Sequence, residues 1–221
     1  MTDQRAAIRE RFLAVDTSNV ADVLDQLGLP DQGLAPSFQP FSGARLAGWA
    51  HPILGRMMPN DEIGDPAKMA ACQQIGPGEV SVWAGDGAGV CYFGELIALA
   101  MIERGSVGAL VDGGVRDLRW LREYDFPVFA RYRTPVQSIG RWRVTGSRIP
   151  VQLPGATSDT VAIRPGDFVL ADDDGALVVP AERVEEVLTS AEALTRTEAQ
   201  IRNALRSGLS LAECLERFGH V

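Results

Sequence analysis

Two short stretches combine residue types that can do chemistry on a small acid. The first is Val111-Asp112-Gly113-Gly114-Val115-Arg116-Asp117, where a guanidinium stands beside a carboxylate just after two glycines. Its pattern predicts a strand that stops, a tight glycine turn and a helix start, whose free N–H groups attract anions. Arg116 offers a planar fork for a carboxylate or an enolate oxygen, and Asp117 offers a hard oxygen ligand. The same spacing also fits a plainer arrangement, with Asp117 as an N-cap and Arg116 as a surface arginine. The second stretch is Gly94-Glu95-Leu96-Ile97, at another expected loop-to-helix junction. Backbone amides there can hold the other end of a small acid. Glu95 precedes an apolar run, and a partly buried carboxylate needs a partner, a metal or a proton. Alternatively, Glu95 only complements the helix dipole.

Scarcity narrows the chemistry further. Lysine occurs once, at Lys68, within the polar stretch NDEIGDPAKM. A Schiff-base lysine usually needs a desolvated pocket, so this setting argues against imine chemistry. Histidine occurs twice, at His51 before a proline and at His220 next to the last residue. A zinc site built on several histidines is excluded, and any metal ligands would be oxygens, which suit Mg²⁺ or Mn²⁺. The glycines at 85, 87 and 89 lack a following GK[ST] and read as a flexible loop. Asp172-Asp173-Asp174-Gly175 reads as a hairpin turn of the tight Asp-Gly kind rather than a cation site. No serine or cysteine stands in a recognisable nucleophile motif.

The elements that must position these residues follow from periodicity and punctuation. Residues 3–13 read as a helix. Asp16-Thr17-Ser18 supply cap oxygens for a second helix, which Gly28 and Pro30 end. Strand is expected over 44–58 and from Glu79 to Trp83, and a short helix over 67–75. A helix from Glu95 to Arg104 closes on Gly105, then Val107 to Val111 forms a buried strand. Another helix carries Leu118, Leu121 and Tyr124 inward, and Val128 to Ala130 is strand. Further strands are expected near 135–138, 141–145, 149–152, 161–163, 167–171 and 176–179. Pro180 opens a long helix over 181–206, and a short one covers 210–217. The mixture without strict alternation predicts a β-sandwich or curled sheet flanked by helices, in one domain over 1–221 with a helical extension from 180.

Composition excludes some classes. Net charge is −8 with pI near 4.8, so the basic footprint of a nucleic-acid binder is missing. The basic stretch from Arg131 to Arg148 alternates with apolar residues, as a half-buried strand would. The longest apolar run, Leu96 to Ile102, is too short to span a bilayer, and MTDQRAAIRERF has no signal-like apolar segment. A cytoplasmic protein without a membrane partner is expected. Cys72, Cys91 and Cys214 form no CxxC pair and read as reduced thiols.

The stretch GELIALAMIERGSVGALVDGGVRDLRWL resembles the family of class II 4-hydroxy-4-methyl-2-oxoglutarate / 4-carboxy-4-hydroxy-2-oxoadipate aldolases, which also holds the regulator of ribonuclease activity A. TSNVADVLDQLG, IGPGEV, RPGDFVLADDDGALVVP and EAQIRNALRSGLSLAE extend the likeness over most of the chain. The resemblance implies an αββα sandwich assembled as trimers or hexamers with sites between subunits. It makes Arg116 a substrate contact, Asp117 the metal ligand, and Gly94, Glu95, Leu96 and Ile97 the segment that holds the substrate. Glu95 becomes an acid near the metal's water. A glutamate from a neighbouring subunit's C-terminal helix is also implied, with Glu192 and Glu198 as candidates. The implied activity is Mg²⁺-dependent cleavage of a 4-hydroxy-2-oxo acid to pyruvate, with oxaloacetate decarboxylation as a second activity. The alternative is a non-catalytic protein that inhibits a ribonuclease. Methyl transfer has no nucleotide loop to support it.

Overall fold

The structure is a computed structural model that describes residues 2–59, 61, 64–85 and 87–221. Asn60, Glu62 and Ile63 of the polar stretch before Lys68, and Asp86 of the glycine loop, lie outside the described residues.

Two helices come first, α1 (Thr2–Phe12) and α2 (Thr17–Gln26), followed by strands β1 (Gln39–Ser42) and β2 (Leu46–Met57). Then come α3 (Pro66–Gln73), β3 (Glu79–Ala84), β4 (Cys91–Phe93), α4 (Glu95–Ile102), β5 (Gly108–Val115), α5 (Leu118–Glu123) and β6 (Val128–Arg133). The second half runs β7 (Trp142–Ser147), β8 (Val151–Pro154), β9 (Thr160–Ile163), β10 (Phe168–Asp172) and β11 (Gly175–Val179). A 3-10 turn over Ala181–Arg183 leads into α6 (Val184–Arg206), and α7 (Leu211–Phe218) ends the chain.

Among the described residues nine strands form one curled mixed sheet, in the order β1-β6-β5-β3-β2-β10-β11, with β4 on β5 and β7 on β2. Strands β2, β3, β5 and β6 run parallel to their neighbours in that series. Parallel neighbours need a crossover, which α3, α4 and α5 provide. The sheet is covered on several sides. Residues of α3, α4 and α5 pack with Trp83, Phe93, Val111 and Trp142. The separate β8–β9 hairpin packs Val151, Leu153, Val161 and Ile163 onto Val80, Val82, Leu110 and Val178. Helices α1, α2 and α6 cover Ala47, Trp49, Phe168 and Val179. A curled sheet flanked by helices, with a C-terminal helix, therefore agrees with the sequence expectation.

Four local expectations need correction. First, β5 does not stop at Val111; it runs through Gly113 and Gly114 to Val115. The glycines are there for space rather than for a turn, since a Cβ on Gly113 would lie 2.3 Å from the Tyr92 ring. Second, Asp16 makes no side-chain cap to α2. Asp172 caps it instead, accepting from Thr17 N at 2.9 Å and Thr17 Oγ1 at 2.6 Å. Third, residues 135–138 form only an isolated bridge, Cys91 to Gln137. Fourth, the β10–β11 hairpin pairs Asp172 with Gly175, so Asp173 and Asp174 form its loop. Neither has positive φ, unlike the tight Asp-Gly turn that was expected.

Candidate active site

Ligands of sheets with parallel strands gather at the strands' carboxyl ends, where loops lead into helices. Here β4 ends into Gly94 and α4, and β5 ends into Arg116 and Asp117 ahead of α5. The two ends are neighbours because β4 pairs with β5, and Arg116 N donates to Phe93 O at 3.1 Å. Asp117 sits in the left-handed region (φ 59°, ψ 33°), a conformation Asp tolerates better than most residues. That twist turns its carboxylate away from α5, which it does not cap, and toward α4. Its Oδ2 accepts from Glu95 N at 3.2 Å and lies 3.4 Å from Arg116 Nε. The N-cap role that sequence offered for Asp117 is thus filled on a different helix. Gly94 makes the approach possible: a Cβ there would stand 2.6 Å from Asp117 Oδ2 and 3.1 Å from Arg116 Cγ.

These groups face a cavity of about 330 Å³ that Gly94, Glu95, Leu96, Ile97, Arg116 and Asp117 all line. The six sequence candidates therefore share one concave surface. Arg116 and Asp117 side chains are 41% and 39% exposed, so they stand at its mouth. Glu95 is half-buried, and its Oε1 accepts the Tyr124 hydroxyl at 2.8 Å. That hydrogen bond raises the Tyr124 pKa and keeps its phenol protonated as the donor. Glu192 and Glu198 are engaged elsewhere in their own chain. Glu192 holds Arg11 through two oxygens, and Glu198 pairs with Arg202 and His220.

The cavity also contains a residue that the sequence reading set aside. Lys68 lines it and is 8% exposed, contrary to the solvated setting expected from its polar neighbours. The α3 helix presents Lys68, Ala71, Cys72 and, just past its end, Ile75 on one buried side. That i, i+3, i+4, i+7 spacing is the amphipathic signal that was legible in the sequence. Burial lowers the Lys68 pKa. Burial likewise pushes the Cys72 thiol up to about 11 and raises that of Cys91, so both are neutral sulfurs at ordinary pH.

A metal can be weighed against this donor set. No group of three or more His, Cys, Asp or Glu is placed to hold an ion among the described residues. Asp117 presents a half-exposed carboxylate at an open cavity, with both protein contacts on Oδ2. One hard oxygen ligand with room for water fits Mg²⁺ or Mn²⁺, which keep several waters. It does not fit a closed structural zinc site.

The fold class is a mixed α+β sheet that sets an Arg-Asp pair and a helix start around one small cavity. Residues 17–178 match the RraA-like family (Aldolase/RraA), and the chain belongs to that family. Among its relatives, Protein DlpA of Legionella pneumophila is 27% identical over 98% of this chain, which spans only 34% of DlpA. A Deinococcus radiodurans protein, provisionally named a 4-hydroxy-4-methyl-2-oxoglutarate aldolase, is 33% identical over 76% of this chain and 96% of its own. The solved structure of Streptomyces coelicolor RraAS2, described as an unusual member of the RNase ES inhibitor RraA family, superposes with a TM-score of 0.75. It is 26% identical and covers 89% of this chain and 96% of its own. No helix of the described residues is long and apolar enough to cross a membrane.

Proposed function

We propose that this protein is a divalent-metal-dependent lyase that cleaves a 4-hydroxy-2-oxo acid to pyruvate and also decarboxylates oxaloacetate. The observation that carries this reading is the convergence of Arg116, Asp117 and Glu95 on one small cavity beside the start of α4. Relatives named for aldolase activity support it.

Asp117 would hold Mg²⁺ or Mn²⁺ with water completing the shell, and the ion would supply Lewis-acid polarisation of the 2-oxo group. The residues of the chain do the rest. Arg116 binds the developing enolate oxygen, where a charge-assisted fork is stronger in the transition state than in the ground state. Glu95 has one oxygen engaged by Tyr124 and orients a water with the other. That water takes the proton of the 4-hydroxyl as the C3–C4 bond breaks. The bonding pair moves to C3, C4 becomes a carbonyl, and protonation at C3 releases pyruvate. Oxaloacetate loses CO₂ through the same enolate.

The test is pyruvate release from 4-hydroxy-4-methyl-2-oxoglutarate and from oxaloacetate, after EDTA treatment and again after Mg²⁺ or Mn²⁺ is restored. Turnover is expected only with the metal. Full turnover in the chelator removes the metal from the mechanism. No pyruvate from either acid, with the metal present, favours instead a binding protein of the ribonuclease-inhibitor kind named for the Streptomyces relative.

A further inference from the structure

One cation in the cavity has no part in the steps above. Lys68 is the chain's single lysine, and its buried side chain lines the same cavity as the Arg116-Asp117 pair. Nζ donates to the carbonyl of Tyr92. It also lies 5.3 Å from the centre of the Trp83 ring and 5.8 Å from that of Trp142. Trp142 is itself stacked on Tyr92 at 4.2 Å, so the ammonium is walled by aromatic rings.

This cation has no counterion among the described residues. Asp65, at the start of α3, is turned to the backbone instead, accepting from Lys68 N and Val144 N. The thiols of Cys72 and Cys91 are protonated and bring no negative charge. Burial above all pulls the Lys68 pKa down, and the like charge of Arg116 adds to it, against a partial offset from the charge of Asp65. An ammonium has three donors and no acceptor, and one of the three is used. Burying a charge without a partner is costly. An anion entering the cavity would offset that cost at the place where two donors are open.

We propose that Lys68 is a substrate-binding residue that takes the far carboxylate of a dicarboxylic 2-oxo acid at the floor of the cavity. It rests on the aldolase reading in one respect: the near, 2-oxo end is the one held at Arg116 and Asp117. Lys68 then sets the preference for acids with a second carboxylate over those with an apolar tail.

Two probes separate the claims. 2-Oxoglutarate has a distal carboxylate but no 4-hydroxyl to cleave, and 2-oxopentanoate has the same chain length with a methyl end. Calorimetric titration of both, with Mg²⁺ present, is expected to favour 2-oxoglutarate by about tenfold to a hundredfold, the range for a hydrogen bond to a charged group. In Lys68→Met the preference should vanish while 2-oxopentanoate binds as before. Lys68→Arg should keep part of it. The Met variant should melt at or above the wild-type temperature, because it removes an unpaired buried charge.

Equal affinities in the wild type overturn the Lys68 assignment and leave the aldolase reading standing. A preference that survives in Lys68→Met overturns it as well. Borohydride reduction with pyruvate that leaves a carboxyethyl group on Lys68 also overturns it, by showing an imine rather than an ion pair. Failure of the wild type to bind either probe removes the 2-oxo acid site and the anchor together. Should Lys68→Met not fold, the wild-type comparison of the two probes still decides.

Discussion

Asp117 has a structural contact and a proposed metal-binding charge that conservative substitution can separate. Its Oδ2 caps the first turn of α4 through Glu95 N, and its charge is what a divalent ion would need. Asp117→Asn keeps an acceptor oxygen and loses the charge. Its melting temperature should stay near wild type while half-saturation by Mg²⁺ rises by about tenfold or more, as charge–ligand losses of that size imply. Asp117→Ala should lose both, with about 1 kcal/mol of stability gone with the cap. Arg116→Lys keeps the charge and loses the planar fork. Pyruvate release should fall by about a hundredfold, with melting little changed because lysine keeps the charge beside Asp117 at this half-exposed position. Near-normal turnover in both Arg116→Lys and Asp117→Asn would take the chemistry away from this pair.

Helix and strand ends carry the next set of consequences, because distant carboxylates close them. Asp172, at the end of β10, is 8% exposed and holds Thr17 N, Thr17 Oγ1 and Asp174 N. Asp172→Ala should cost about 2 kcal/mol in denaturant unfolding, at the upper end for a lost cap. Asp16, which the local pattern favours as the cap, makes only an exposed pair with Arg45 at 3.2 Å. Asp16→Ala should cost at most about 1 kcal/mol; the reverse order would refute the long-range cap. At the start of β3, Glu79 ties His51 of β2 to Arg148, which follows β7, at 3.2 Å and 3.0 Å. Burial pushes the Glu79 carboxyl up, but hydrogen bonds from His51 and Gly76 N and the charge of Arg148 outweigh it, and the pKa ends below the usual value. A depressed carboxyl stabilises above its unfolded pKa, about 4.3, and that contribution is lost as pH falls through the lower folded value. Melting of the wild type should therefore fall more steeply below about pH 4.3 than melting of Glu79→Gln. Parallel acid limbs would show that this cluster has no such linkage.

The whole molecule leaves apolar side chains in the open around its cavity. Leu96 is 74% exposed, Ile139 53%, Met69 48% and Trp120 42%, and all four line it. Clustered exposed apolar groups of this kind mark interaction surfaces, and closed rings are a common way for identical chains to cover them. A trimer or hexamer is the expected state, with the neighbouring chain approaching the cavity's rim. Light scattering at micromolar concentration should give a mass three or six times that of the chain. Leu96→Glu should shift it toward the monomer and lower turnover together. A wild-type monomer would contradict the assembly.

What the sequence determined by itself was mostly short-range. The left-handed Gly105 (φ 87°) after α4 and the β10–β11 hairpin are set by residues a few positions apart. Residue types also narrowed the expectation for a metal, since two scattered histidines cannot build a histidine-rich site, whereas the case against the single lysine rested on a solvated setting that the fold replaces with burial. The family likeness singled out Arg116, Asp117 and Gly94 to Ile97, yet only the pairing of β4 with β5 brings them to one cavity. Tertiary structure decided the rest. Gly113 and Gly114 looked like a turn, but the Tyr92 ring beside Gly113 and the strands flanking β5 keep that chain extended. Asp16 looked like a cap, but Asp172 arrives from 155 residues away. Lys68 looked solvated because its neighbours in sequence are polar. Its neighbours in space are Trp83, Tyr92 and Trp142, drawn from three different strands. Local pattern fixes which side of a helix a residue faces, but what covers that side depends on strands that pair far apart in the chain.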